Sequence, residues 1–250
     1  MSRYHQKSRI TKDMLQKESF YTKTRLLNLA RRGGGRLKAS RRMADMIIQF
    51  TRKSIRGDRP FVLTSIWAPS EILYALDIIP LNAESAAASL ASFGLGDDVL
   101  DVAERNFHPP ETCSILRCAT GAVFDKLFPS PSAVVATTHL CDAGAKMISA
   151  ASRVYGCECF LIDVPNQDHD DAVLYVAEQL EEMATGLSEI TGKKLKKEKL
   201  ARAITLSNEA RSYSLQSTAL RRVVPSPMRG SEALSYLYLV GVGFGSEEAL

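Results

Sequence analysis

The sequence predicts an α/β protein: a parallel, Rossmann-like sheet flanked by helices and preceded by a basic helical N-terminal extension. Two observations support this fold class. Short apolar runs alternate, along residues 61–224, with segments whose apolar side chains recur at helical spacing, as in successive βαβ units. The apolar runs are also continuous rather than interrupted by polar residues, which is typical of parallel strands buried on both faces.

The first 60 residues are predicted to form the basic extension. They contain 17 Lys and Arg residues against 4 Asp and Glu, a net charge of +13, and residues 61–250 carry a net charge of −9. Helices are predicted at 11–32 and 38–56, on either side of Gly33-Gly34-Gly35. We expect the extension to pack on the acidic body. Binding of nucleic acid is the disfavoured alternative, because the extension has no recognised nucleic-acid-binding motif.

The body, residues 61–224, is predicted to be one α/β domain. Its predicted strands are residues 61–67, 78–81, 132–139 and 157–165. Its predicted helices are residues 70–77, 113–128, 141–156, 171–187 and 196–222, with a small helix or loop at 84–93. Residues 225–250 begin with two prolines and a glycine, and are predicted to be a linker followed by the start of a truncated second domain.

The chain is expected to be cytoplasmic. No run of about 18 apolar residues is present, so no membrane-spanning helix is predicted. The N-terminus MSRYHQKSRITKDMLQ lacks the apolar segment that a secretory signal needs. In a reducing compartment the five cysteines are expected to be thiols or metal ligands rather than disulfides.

Two of the cysteines are predicted to lie at helix N-termini. Cys141 follows the third predicted strand and opens the next helix, and Cys113 follows two prolines at or near the start of another helix. In an open α/β sheet, ligands bind beyond the carboxyl ends of the strands, where helices begin. Backbone N–H groups and the helix dipole there favour a thiolate, which is the form that binds metal or acts as a nucleophile. From spacing alone, ligation and simple packing are equally favoured.

The remaining cysteines, Cys118, Cys157 and Cys159, are expected to pack, because free cysteine is among the most buried residue types. His139 precedes Cys141 by two positions, but a strand end between them is poor geometry for a Cys–His nucleophile pair. The chain has no GxxxxGK[ST], GxGxxG or GxSxG motif, and no CxxC pair for a zinc ribbon.

Four segments together resemble the subunits of 2-hydroxyacyl-CoA dehydratases and benzoyl-CoA reductases. They are WAPSEILYALDIIPL (67–81), CSILRCATG (113–121), VVATTHLCDAGAKM (134–147) and FLIDVP (160–165). They occur in the order found in that family, and SPMRGSEAL resembles the linker into the family's second α/β domain. With the linker, the resemblance covers roughly residues 61–240.

The resemblance implies a cofactor and its ligands. Family members have two Rossmann-like domains with a [4Fe–4S] cluster between them, held by three cysteines. Carried over by position, Cys113 and Cys141 are the first two ligands. The third lies in the family's second domain, which this chain ends too early to form. Cys118, Cys157 and Cys159 have no place in the family pattern and are alternative candidates for a third ligand.

The resemblance also implies partners and a reaction. Two such subunits pair, as a homodimer or heterodimer, and an ATP-hydrolysing activator, itself an iron–sulfur protein, delivers one electron at low potential. The electron makes a ketyl radical from an acyl-CoA thioester or reduces an aromatic ring. An anaerobic host follows from the resemblance alone.

Four further residues are candidates for this site. Glu71, at the start of a helix, resembles an acidic residue that serves in acid–base chemistry in the family's dehydratases; the alternative is a glutamate that complements the helix dipole. Arg117 falls one turn after Cys113 and is a candidate partner for a cluster thiolate, a CoA phosphate or Asp142, with a surface salt bridge as the alternative. Asp142 and His139 flank the second cysteine and are candidates for cofactor contacts.

Three functions follow from these observations. The first is an iron–sulfur subunit that takes part in radical dehydration or reduction of an acyl-CoA, and the second is a non-catalytic electron-transfer or assembly subunit of the same fold. The third is a nucleic-acid or acidic-protein binder that acts through the basic extension. Iron content separates the first two from the third, and turnover of an acyl-CoA separates the first from the second.

Overall fold

The computed structural model describes residues 12–30, 38–167, 169–230, 232–233, 241 and 243–250. The predicted helix ends at residues 11, 31 and 32, and the Gly33-Gly34-Gly35 break, lie outside the described residues.

A four-stranded parallel sheet forms the centre of the body, with the strand order β2-β1-β3-β4. The strands are β1 (Phe61–Thr64), β2 (Ile79–Asn82), β3 (Ala133–Thr137) and β4 (Glu158–Ile162). Leu63 pairs with Leu81 of β2 on one side and with Val134 of β3 on the other, and Val134 in turn pairs with Cys159 of β4. The predicted α/β fold with a parallel sheet is therefore confirmed.

The helices occupy both faces of this sheet and the region before it. They are α1 (Lys12–Leu15), α2 (Glu18–Ala30), α3 (Lys38–Arg56), α4 (Ser70–Ala75), α5 (Ala83–Ser92), α6 (Gly96–Arg105), α7 (Ser114–Phe124), α8 (Asp142–Tyr155), α9 (Asp170–Thr191) and α10 (Lys197–Leu220). A short 3-10 helix spans Glu247–Ala249.

Successive strand residues point to opposite faces, and each face is covered. Leu63 and Val134 pack with Met147 and Ile148 of α8 in one cluster, which also includes buried side chains of α3, α5 and α7. The neighbouring residues Val62 and Val135 point the other way and pack with Leu73, Met183 and Leu187 from α4 and α9. Because both faces of the central strands are buried, β1 and β3 are apolar at every position except the last, where Thr64 and Thr137 stand.

The basic N-terminal helices are packed against the body. Met46 and Phe50 of α3 are almost fully buried and belong to the same apolar cluster as the sheet. Lys12 lies 2.8 Å from Asp125, and Lys53 lies 3.5 Å from Glu248. These ion pairs are partly exposed and each contributes little, so burial of apolar side chains holds the extension in place.

Several elements differ from their sequence predictions, including β1, which ends at Thr64 although the predicted strand runs to residue 67. The single helix predicted at 11–32 is interrupted after Leu15, and α2 begins at Glu18. Strand β4 covers only part of the predicted 157–165. Helix α6 has no counterpart in the sequence prediction. Only Val99 and Ala103 are buried in it, and its start, a glycine followed by two aspartates, is typical of a loop.

The described residues at the C-terminus lie on the body. The Ser70 hydroxyl donates a hydrogen bond to the carbonyl of Phe244 at 2.8 Å. A Cβ atom at Gly245 would lie 2.9 Å from Cδ2 of Tyr74 and 3.0 Å from Cα of Glu71, so this turn approaches α4 as closely as only glycine permits. The division of the chain at residue 225 into a body and a second domain stays a prediction.

Gly121 controls how closely α6 packs on α7. A Cβ atom there would lie 1.8 Å from the backbone oxygen of Val99, so Gly121→Ala must push the two helices apart. We expect it to lower the free energy of unfolding by about 2–3 kcal/mol. The matched control is Gly96→Ala, where the new Cβ meets only ordinary contacts at 3.6 Å, so the change is neutral or stabilising by up to about 1 kcal/mol. Denaturant unfolding of both variants checks this, and equal losses would contradict it.

Candidate functional site

The site lies where the strand order reverses direction. From β1 the chain moves outward to β2, then crosses back to β3 on the other side of β1 and continues to β4. The loops that follow β1 and β3 therefore diverge, and in open α/β sheets this point forms the ligand-binding crevice. Ser65 follows β1 here, and its N–H donates to the carbonyl of Val135 at 3.1 Å.

Cys141 lies at this crevice as the N-cap residue of α8. Its side chain makes no capping hydrogen bond, and it is half-buried. Its carbonyl accepts hydrogen bonds from the N–H groups of Gly144 and Ala145, as expected of a cap residue. The predicted position of Cys141 at a helix N-terminus is therefore confirmed. Asp142 is exposed in the first turn of α8, where its charge complements the helix dipole.

Cys113 is the N-cap residue of α7, also without a capping hydrogen bond from its side chain, and it is exposed. Helix α7 ends at Phe124, shortly before β3 begins, so the helix runs antiparallel to the strand and starts at the carboxyl edge of the sheet. It packs against α8. Both predicted ligand cysteines therefore begin neighbouring helices at the same edge of the sheet.

Glu84, a residue that the sequence analysis did not select, is buried at the same crevice. Its side chain lies in the first turn of α5, directly after β2, and the residue is 8% exposed. Oε1 accepts a hydrogen bond from the N–H of Ile66 at 3.2 Å, and Oε2 accepts one from Nδ2 of Asn82 at 3.0 Å. Burial raises the pKa of the Glu84 carboxyl from 4.5 to about 7, although these hydrogen bonds act in the opposite direction.

Gly144 shows that Glu84 and Cys141 share one site. A Cβ atom built at Gly144 would lie 3.6 Å from Oε1 of Glu84, 3.8 Å from Sγ of Cys141 and 3.8 Å from Cβ of Ser65. A carboxyl and a thiol from different strand–helix units thus meet around the first turn of α8. The signal in the sequence was an acidic residue directly after a strand, in an otherwise small and apolar helix.

Glu71 lies on the other face of the sheet from α8. Its Oε1 accepts a hydrogen bond from the hydroxyl of Ser207 in α10 at 2.7 Å. Together with Ile72 and Leu180 it lines an apolar groove between α4, α9 and α10. The structure therefore does not group Glu71 with Glu84 and Cys141, and its catalytic role stays a prediction.

Arg117 pairs with a carboxylate other than Asp142. Its Nη1 lies 2.6 Å from Oε1 of Glu104 in α6, and its side chain is 14% exposed. This contact is the salt bridge considered as the alternative, and it joins α7 to α6. His139 is exposed in the loop between β3 and α8, and its contact with a cofactor stays a prediction.

The other three cysteines are less suited to bind a ligand. Cys118 is buried in α7 and its thiol donates to the carbonyl of Ala87 at 3.5 Å; burial raises the pKa of the thiol to about 11. Packing, the predicted role of this residue, agrees with these contacts. Cys157 and Cys159 are half-buried, and burial raises the pKa of each thiol.

Within the described part of the chain, no group of three or more His, Cys, Asp or Glu side chains is arranged to hold a metal ion. The thiols at Cys113 and Cys141 have the donor chemistry that an iron–sulfur cluster requires. They would supply two ligands, and a cluster here would need further ligands from elsewhere. The described helices also include none that is long and apolar enough to cross a membrane.

Residues 65–250 match the family model described as 2-hydroxyglutaryl-CoA dehydratase, D-component. The chain belongs to this family. It is 25% identical over 190 residues to the alpha subunit of (R)-phenyllactyl-CoA dehydratase from Clostridium sporogenes, a match that covers 72% of this chain and 47% of that subunit. It is 24% identical over 206 residues to the alpha subunit of (R)-2-hydroxyisocaproyl-CoA dehydratase from Clostridioides difficile, which covers 78% of this chain and 50% of that subunit.

This member of the dehydratase family spans about half the length of the curated relatives that it matches. The matched region includes the crevice, both helices that begin with Cys113 and Cys141, and the buried Glu84.

The buried carboxyl makes stability depend on pH. Because the folded-state pKa of Glu84 is raised from 4.5 to about 7, the protonated form stabilises the fold at low pH. This contribution, about 3 kcal/mol in all, is lost as pH rises from about 4.5 to about 7. The amide in Glu84→Gln does not titrate, so its unfolding free energy should decline less across the same window. Denaturant unfolding at a series of pH values tests this, and parallel curves for the two proteins would contradict it.

Proposed function

We propose that this chain forms the part of a 2-hydroxyacyl-CoA dehydratase subunit that holds a [4Fe–4S] cluster through Cys113 and Cys141 and presents Glu84 to the acyl-CoA. One observation carries the proposal: the carboxyl of Glu84 and the thiol of Cys141 both lie within 4 Å of a Cβ atom built at Gly144, at the crevice. Family membership supports it, as do the names of the two relatives, which specify dehydratases of (R)-phenyllactyl-CoA and of (R)-2-hydroxyisocaproyl-CoA.

The two thiols suit this cofactor. Each begins a helix, where first-turn N–H groups without an intrahelical partner and the positive end of the helix dipole suit a negatively charged cofactor. Neither thiol is used for capping, so both remain available as ligands. When bound, the cluster supplies a low-potential electron to the thioester, delivered by an ATP-hydrolysing activator. Hydrogen bonds from backbone N–H groups near the sulfurs adjust its potential.

Glu84 is the residue best placed to move a proton. Loss of water from a 2-hydroxyacyl group requires that a proton leave carbon 3 and that the departing hydroxyl take one up. A carboxyl whose pKa is near 7 can hold or release a proton at neutral pH. The N–H of Ile66 and the amide of Asn82 fix the orientation of both carboxyl oxygens. We therefore assign acid–base chemistry to Glu84 in preference to Glu71.

The partners in this proposal are a paired subunit of the same family, the activator and the acyl-CoA. An electron-transfer or assembly subunit that lacks catalysis is the second candidate function. Such a subunit would also hold the cluster through the two thiols. The buried carboxyl of Glu84 would have no role in proton transfer in it. Binding of nucleic acid is less favoured, because helix α3 of the basic extension buries Met46 and Phe50 in the apolar cluster of the body.

Iron content tests the cluster. The protein is purified and reconstituted with iron and sulfide without oxygen, beside two double variants with the same number of thiols, Cys113→Ser/Cys141→Ser and Cys157→Ser/Cys159→Ser. We expect iron and acid-labile sulfide to be lost in the first variant and retained in the second, since only the first pair begins helices at the crevice. Equal iron content in the two variants would contradict the assignment.

Turnover tests the proton-transfer role. With the partner subunit, activator and ATP supplied, Glu84→Gln should lower the dehydration rate of a 2-hydroxyacyl-CoA by about 100-fold or more. Its iron content should not change. The matched variant Glu71→Gln removes a carboxyl bonded to Ser207 on the opposite face, and should keep the rate within a few-fold of the wild type. A large loss of rate in Glu71→Gln together with a near-wild-type rate in Glu84→Gln would assign the acid–base role to Glu71 instead.

A further inference from the structure

The loops that follow β3 and β4 are joined through the side chain of Thr138. Its backbone N–H donates to the carbonyl of Ile162 at 2.9 Å, continuing the pairing of the strands. Its hydroxyl then donates to Oδ1 of Asp163 at 2.9 Å and accepts from the N–H of Val164 at 2.9 Å. Thr138 thus makes one hydrogen bond to the end of β4 and two to the loop that follows it. We call the pair of Thr138 and Asp163 the clamp.

Helix α9 holds Asp163 from the other side. The hydroxyl of Tyr175 donates to Oδ2 of Asp163 at 3.1 Å. Gln179 accepts from the backbone N–H of Asp163 at 2.8 Å and donates to its carbonyl at 3.0 Å. Both carboxylate oxygens and both backbone groups of Asp163 therefore have partners, so its position is fixed by a helix that is anchored in the core through Met183 and Leu187.

Only two residues separate the clamp from Cys141. His139 and Leu140 connect Thr138 to the cap of α8, and the first is exposed. Leu140 has a φ of 66° and is 68% exposed, so an apolar residue with a Cβ adopts a left-handed conformation without a buried side chain to stabilise it. Such a conformation persists only where the flanking structure imposes it. The clamp fixes one end of this connection, and the packed helix α8 fixes the other.

We infer that Asp163 and Thr138 are positioning residues, which hold the loop at 138–141 so that the thiol of Cys141 stays at the crevice beside Glu84. The assignment of Cys141 as a ligand rests on the proposed function, but the effect of the clamp on the thiol does not. The clamp fixes the thiol before any ligand arrives, so no free energy is spent in ordering the loop on binding.

Alkylation of the cluster-free protein tests the clamp. A neutral iodoacetamide reagent is added, and labelling of Cys141 and Cys113 is followed by mass spectrometry in the same sample. Thr138→Val removes the hydroxyl, and Asp163→Ala removes its acceptor. We expect Cys141 in either variant to be labelled about five- to tenfold faster than in the wild type, the effect of losing one or two hydrogen bonds. Cys113, whose loop is not held by the clamp, should keep its rate.

Two further variants separate positioning from general destabilisation. Thr138→Ser keeps the hydroxyl and should restore the wild-type rate at Cys141. Tyr175→Phe removes one contact to Asp163 and leaves the Thr138 hydroxyl bonded, so it should give a smaller increase. The inference is overturned if Cys141 is labelled at the wild-type rate in Thr138→Val and Asp163→Ala, if Cys113 accelerates equally, or if Thr138→Ser behaves like Thr138→Val.

Iron binding distinguishes failure of the clamp from failure of the proposed function. If the wild type takes up no iron but Cys141 is still labelled faster in the clamp variants, the proposed cluster is wrong and the clamp is supported. If the wild type binds iron through Cys113 and Cys141 while Cys141 in the clamp variants is labelled at the wild-type rate, the cluster is supported and the clamp is wrong.

Discussion

The parallel pairing of β1 with β3 determines where the rest of the site lies. Since the chain leaves β1 for β2 and later returns to the other side of β1, the segments that follow β1 and β3 diverge and leave a crevice. The segment after β1 supplies the N–H of Ile66, and the segment after β3 supplies Cys141. Helix α5, which follows β2, brings Glu84 to the same place.

The crevice can hold a buried carboxyl because its neighbours offset the cost. Burial disfavours the charged form of Glu84, and the two hydrogen-bond donors aimed at its oxygens favour that form. The balance leaves a pKa close to neutral, which suits a group that must exchange protons. Gly144 is part of the same arrangement, because a Cβ atom there would contact both the carboxyl and the thiol. A carboxyl whose burial lowers the stability of the fold at neutral pH therefore lies where the proposed proton transfer would take place.

The sequence was a good guide where the cause of a feature is local. Continuous apolar runs follow directly from burial of both strand faces, and a cysteine at a helix start is visible in the chain itself, so the sheet and the cap positions of Cys113 and Cys141 were predictable. Glu71 and Glu84 both begin helices and look alike in sequence. Only tertiary packing places one beside Ser207 and the other beside Gly144. The partner of Arg117 was not predictable either, since Glu104 lies on α6 and the apolar pattern of that helix is too short to predict a helix.

The proposed function requires that the thiols of Cys113 and Cys141 and the carboxyl of Glu84 face one ligand. The most direct measurement is anomalous scattering from iron in crystals of the reconstituted protein, grown without oxygen together with whatever partner chain completes the site. We expect iron bonded to both Sγ atoms, with the Glu84 carboxyl in the same crevice. Iron bonded elsewhere, or these two thiols without iron in a protein that is otherwise loaded, would contradict it.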